Sequence, residues 1–110
     1  MGEKTAQALW QDYRFLTKEM VKFITKQDME LFYKLLEQRG KLQPQIERAP
    51  DDGFKDSSAG QDMLNEVQQD NKFIIECLQS RRNRIKKHRQ VMDVYNVTGS
   101  VHSNRTNWER

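Results

Sequence analysis

Few side chains in this sequence have the chemistry to act on a substrate. There are two histidines, His88 and His102, and one cysteine, Cys77. A lone cysteine excludes an intrachain disulfide and a cysteine-cluster zinc site. His88 falls on a helical seam, where an imidazole more often fills space or a hydrogen bond than activates a nucleophile. Cys77 sits beside Leu78 and reads as a small buried hydrophobe. Phosphate-loop, dinucleotide and zinc-protease spacings are absent. No catalytic, cofactor or metal set stands out. The most conspicuous chemistry is cationic: Arg81, Arg82, Arg84, Lys86, Lys87 and Arg89 crowd into nine residues. Such a run can bind phosphate. It can equally be a solvated face near a helix C-terminus, where cations oppose the macrodipole.

The elements that must carry these residues are helices. From Leu64 onward two series repeat every seven residues: Leu64, Asn71, Leu78, Ile85, Met92, and Val67, Ile74, Arg81, His88, Tyr95. Apolar positions three and four apart share one side of a helix. From Asp62 to Asn96 that helix makes a rod of about 50 Å. The seam begins apolar and further on mixes Arg81, Ile85, His88, Met92 and Tyr95.

Two helices precede it. The first runs from about Thr5 to Lys26, with Leu9, Tyr13, Leu16, Met20 and Phe23 spaced four, three, four and three. Trp10, Phe15, Val21 and Ile24 widen its apolar face, so it meets two neighbours. Lys26-Gln27-Asp28 is a break in which Asp28 caps the next helix. The second helix spans about Met29 to Arg48. Leu31, Leu35, Leu42 and Ile46 form one row; Phe32 and Leu36 form another. Pro44 should kink or end this helix, because its ring clashes with the carbonyl of Gly40. Ala49 to Gly60 carries Pro50, Gly53, Gly60 and several Asp and Ser residues, the composition of a loop. Phe54 is its one large apolar side chain. It lacks the acidic alternation of a calcium loop, so no metal is assigned. From Thr98 onward Gly, Ser, Asn and Thr dominate, as in a mobile tail.

The bulk numbers fit this plan. A chain of 110 residues suits one domain. With 35% hydrophobic residues, 32% charged and a mean hydropathy of −0.99, the core must be thin. No segment approaches the ~20 apolar residues of a membrane span. Met1 to Thr5 shows no apolar signal region and, with Ala6, no myristoylation pattern. The expected compartment is therefore the cytoplasm. Without a secretion signal, the glycosylation matches at Asn96-Val97-Thr98 and Asn104-Arg105-Thr106 read as chance.

The expected fold is all-α: an antiparallel three-helix bundle with a long, protruding third helix, residues 1–97, followed by a flexible tail, 98–110. The first helix is about 33 Å long and cannot cover the third. The C-terminal turns of the third helix must then project, self-associate or receive another chain. A foreign helix burying Leu, Ile or Met there would contribute roughly 1.5–3 kcal/mol per side chain. The expected partner-facing residues are Leu64, Val67, Ile74, Leu78, Ile85 and Met92.

Certain segments resemble a known family. Leu16-Thr17-Lys18-Glu19-Met20, Asp28-Met29-Glu30-Leu31 and Leu35-Leu36-Glu37-Gln38-Arg39 are similar to flagellar type III export chaperones of the FliT type. So is the basic third helix ending Met92-Asp93-Val94-Tyr95-Asn96. The likeness covers about residues 9 to 96, and the related FlgN chaperones look similar at this level. The resemblance implies a small cytoplasmic helical chaperone without enzyme activity that holds the aggregation-prone terminal helix of a filament-cap or hook-associated subunit. It would then deliver that cargo to the export apparatus. Tyr95 matches the family's tyrosine associated with docking at the export gate. The sequence departs from the family after Thr98, which is too polar and broken for a groove-shielding last helix.

Three other readings compete. Leu35-Leu36-Glu37-Gln38-Arg39 with Leu42 and Ile46 also resembles the second catalytic stretch of all-helical chorismate mutases. The lysine expected about three turns past the arginine falls near Pro50, however. The basic run could hold nucleic acid with steep salt dependence, although no aromatic platform interleaves it. A structural homodimer would bury the seam against itself.

Overall fold

A computed structural model describes residues 4–99, with side-chain surroundings for residues 4–93. The described residues form three helices and no strand: α1 (Ala6–Thr25), α2 (Met29–Arg48) and α3 (Ser58–Gly99). Packing divides the chain into two compact units, Met1–Cys77 and Leu78–Arg110. Most of the expected tail, residues 100–110, lies outside the described residues.

Helix ends are set by local hydrogen bonds. Thr5 caps α1, its Oγ1 accepting from the Ala8 amide at 3.1 Å. A second acceptor arrives from far along the chain: Asp52 Oδ2 takes the Gln7 amide at 3.0 Å. That carboxylate answers an orphan donor and the positive end of the helix dipole together. At the other end, the Gln27 amide donates to the Ile24 carbonyl and the Asp28 amide to that of Phe23, at 3.0 and 2.9 Å. This is the paired bonding of a Schellman stop. It places Gln27 at φ 62°, a left-handed conformation usually left to glycine. Asp28 then starts α2, its carboxylate accepting from the Leu31 amide. The expected break therefore occurs without Gly or Pro.

α2 covers the expected range and ends at Arg48 with Pro44 inside it, so the alternative of an early end is not realised. Proline removes one intrahelical donor, but the bond from Ala49 to Gln45 closes the following turn. The loop before α3 is shorter than its composition suggests. Ser57 Oγ accepts from the Gly60 amide at 2.9 Å, an N-cap that starts the helix at Ser58. Gly60 is needed there, because a Cβ would overlap the carbonyl oxygen of Phe54. The same tight turn holds Phe54 down, 6% exposed.

The core is thin, as the composition requires. It comprises Leu9, Met20 and Ile24 of α1, Phe32 of α2, Phe54, and Val67 and Ile74 of α3. Burying each contributes roughly 1.5–3 kcal/mol. The inward face of α1 is rotated relative to the expected stripe: Thr17 is fully buried, while Leu16 and Phe23 are half-buried. On α2, Phe32 is fully buried and Leu31 exposed, so the inward line runs through Phe32, Leu35, Arg39, Leu42 and Ile46. α1 and α2 pack closely, and a residue as small as Thr17 suits a close crossing.

Candidate functional site

Within Met1–Cys77 each helix contributes one polar residue to the inward face at the same level. Arg39 Nη1 donates to Thr17 Oγ1 at 2.9 Å and to Asn71 Oδ1 at 2.7 Å. The Thr17 hydroxyl donates in turn to the Tyr13 carbonyl, i−4 on α1, at 2.8 Å. The guanidinium lies 4.7 Å from the Tyr13 ring centroid, in cation–π range. Burial pushes the Arg39 pKa down from its ordinary value, yet a guanidinium stays charged across the physiological range. Its partners are a hydroxyl, an amide and a ring. Such a layer satisfies itself and fixes helix register.

Beside it runs an ion-pair cluster linking α1 to α3. Arg14 reaches Glu66 through Nε and Nη2 at 2.8 and 3.2 Å. Lys18 Nζ bridges Glu66 and Asp70 at 2.7 and 2.8 Å. The Glu66 carboxyl is pulled down to about 2, first by the Arg14 hydrogen bond and then by that of Lys18. The Arg14 and Lys18 values move up in return, chiefly through bonds to Glu66 and Asp70 respectively. Each charge in this cluster has a partner, so it is built for stability.

The segment Leu78–Asp93 has a different character. Every residue from 82 to 92 is exposed, and Leu78 and Arg81 are half-buried. Ile85 and Met92 are 47% and 43% exposed. On a helix the neighbours of residue i lie three and four positions away. Ile85 is thus bordered by Arg81, Arg82, His88 and Arg89. Among the described residues, none of the six clustered cations meets a carboxylate at ion-pair distance. Arg84 bonds only its own helix, to Ser80 Oγ at 3.5 Å. This is an apolar row in a cationic frame, with donors free to take an anionic group.

The expected partner-facing residues separate accordingly. Val67 and Ile74, expected to face a partner, are core side chains, each 4% exposed. The α3 face they occupy meets its own bundle. Leu64 and Leu78 are half-buried; Ile85 and Met92 are open. Tyr95 lies on α3, but its side chain is outside the described residues. His88 is exposed, so it does not fill space, and Cys77 is half-buried. The Arg39 layer was not anticipated. Its signal was Asn71, a polar residue at a seam position, together with an arginine on the inward line of α2. Arg14 and Lys18, like Glu66 and Asp70, are four apart, and that matched spacing foreshadows the ion pairs. Among the described residues no helix is long and apolar enough to cross a membrane. No known protein family, curated protein or solved structure matches this chain.

Proposed function

We propose that this protein is a helix-holding export chaperone of the FliT type. Its work is cytoplasmic: to shield the terminal helix of a filament-cap or hook-associated subunit and hand it to the type III export apparatus. The observation that carries the reading is the exposure of Ile85 and Met92, seven residues apart on α3, at 47% and 43%. A heptad row left in water is the kind of surface an amphipathic helix uses as a docking line. The holding surface is Leu78, Ile85 and Met92; Val67 and Ile74 are withdrawn from it because they are already in the core. The bundle proposed is antiparallel, α2 returning along α1 after the tight turn at Gln27, with α3 as the long member. The work needs no bond chemistry, and the Arg39 layer and the Glu66 cluster are occupied in holding helices together.

The test is capture of purified filament-cap and hook-associated subunits. Ile85→Glu should abolish capture while circular dichroism stays near wild type, because the side chain is exposed. Tyr95→Ala should leave capture intact and impair export. If Ile85→Glu still captures cargo normally, the holding surface lies elsewhere. If no flagellar subunit is captured by the wild-type chain, the reading is wrong.

A further inference from the structure

We infer that the partner of the segment Leu78–Asp93 is an acidic amphipathic helix, one whose apolar row is flanked by aspartate and glutamate. This rests on the helix-holding reading and specifies the partner's chemistry. The apolar row here is narrow: Leu78, Ile85 and Met92 stand at seven-residue intervals, Val91 beside Met92 is the one other exposed apolar side chain in the segment, and the alternate seam positions are Arg81 and His88. Beside the row stand Arg82, Arg84 and Arg89, all exposed and without a carboxylate partner among the described residues. From Gln79 to Gln90 the segment contains no acidic residue.

That frame selects among occupants. A second copy of the same segment, in either direction, would set arginines against arginines, and like charges across a helical seam are unfavourable. A lipid surface calls for a broad apolar face beneath the cationic one, and the row with Val91 beside it, four apolar side chains in sixteen residues, does not supply it. Duplex nucleic acid would answer the cations but leave Ile85 and Met92 without a function. An acidic helix satisfies both features. Its apolar side chains cover Ile85 and Met92, and its carboxylates take the flanking guanidiniums in bidentate pairs. Screening by salt should then weaken the selectivity and spare the apolar contribution.

The full chain is titrated with two designed helical peptides of about three heptads. They share one leucine row and differ in glutamate or lysine flanks; binding is followed by fluorescence anisotropy. The glutamate peptide should bind about tenfold more tightly at physiological salt, with the gap closing at high salt. Both arginines of the double variant Arg82→Glu, Arg89→Glu are exposed, so folding should persist, checked by circular dichroism. It should invert the preference. Equal affinity for the two peptides overturns the acidic partner while leaving the helix-holding reading intact. Tighter binding to phosphatidylglycerol vesicles or to a DNA duplex than to the glutamate peptide overturns the inference. Failure to bind either peptide overturns it together with the reading it rests on.

Discussion

Arg39 and Arg81 both interrupt an otherwise apolar helical line, yet their surroundings are opposites. Arg39 is held by Thr17 and Asn71 and covered by the Tyr13 ring. Arg81 is half-buried, and among the described residues it meets no carboxylate. The same contrast extends to the apolar side chains. Phe32 is fully enclosed, whereas Ile85, on a seam of equal regularity, is half open. A heptad pattern states which side chains share a face; only the polar partners at that face reveal whether the chain covers it itself. Where polar groups are mutually satisfied the face is closed. Where they are uniformly cationic and, among the described residues, meet no carboxylate, the face stays open to solvent.

The strongest test of this contrast compares one truncation from each region. Phe32→Ala should cost about 3–5 kcal/mol, because a fully buried ring leaves a cavity that a thin core cannot refill. Ile85→Ala should stay within about 0.5 kcal/mol, as expected for an exposed position. Urea unfolding midpoints measure both. If Ile85→Ala proves as damaging as Phe32→Ala, the row at 85 is packed in the free protein, and the division between a closed and an open seam fails.

The next effect concerns the polar layer. Arg39→Met should cost about 1–3 kcal/mol, since Asn71 Oδ1 and Thr17 Oγ1 lose their shared donor inside the bundle. In that background Asn71→Ala should add little, because its partner is already gone. Full additivity of the two substitutions would mean the layer is not a unit. By contrast, Arg82→Met should be nearly silent for stability, as for a solvated side chain.

These differences explain what could be read from the sequence. Helix existence followed from apolar spacing, and the start of α2 from Asp28, whose carboxylate does cap it. Spacing could not resolve which row of a broad face turns inward. On α2 the choice between Leu31 and Phe32 is a rotation of one residue, settled by a ring large enough to fill the centre. The start of α3 was hidden because Gly60 belongs to loop chemistry by composition but to the first helical turn by geometry. The regular seam grouped Val67 and Ile74 with Ile85 and Met92 as one partner-facing line. A period says which residues share a face, not which of them the chain covers itself, and Val67 and Ile74 lie in the stretch tied to α1 through Glu66 and Asp70.

A smaller effect is linked to pH. The Glu66 carboxyl is depressed from 4.5 to about 2 by Arg14 and Lys18. A depressed folded-state value means the stabilisation is complete above the unfolded value and is lost as pH falls through the folded one. The window is therefore from about 4.5 down to about 2. Glu66 is 35% exposed, so solvent screens the pair, and Glu66→Gln should cost only about 0.5–1 kcal/mol at neutral pH. The substitution should flatten stability against pH across that window. Arg89→Gln, with no carboxylate to lose, should leave the profile unchanged. An Arg89→Gln profile that flattened like that of Glu66→Gln would reveal a hidden partner for the cationic run.

The smallest effect is a gain. Gln27 holds a left-handed backbone at φ 62° and is exposed, so its side chain contributes little there. Glycine adopts that conformation without the Cβ penalty. Its greater freedom in the unfolded chain offsets part of the advantage, leaving Gln27→Gly about 0.5 kcal/mol more stable. The urea midpoint should rise slightly, and affinity for the glutamate-flanked peptide should not change. That pairing separates the two regions more sharply than any damaging variant, because only an exposed side chain has been removed. If tightening the α1–α2 turn altered peptide affinity, recognition would depend on the bundle's own stability, and the cationic row would not be the local, self-contained surface inferred from its exposure and charge.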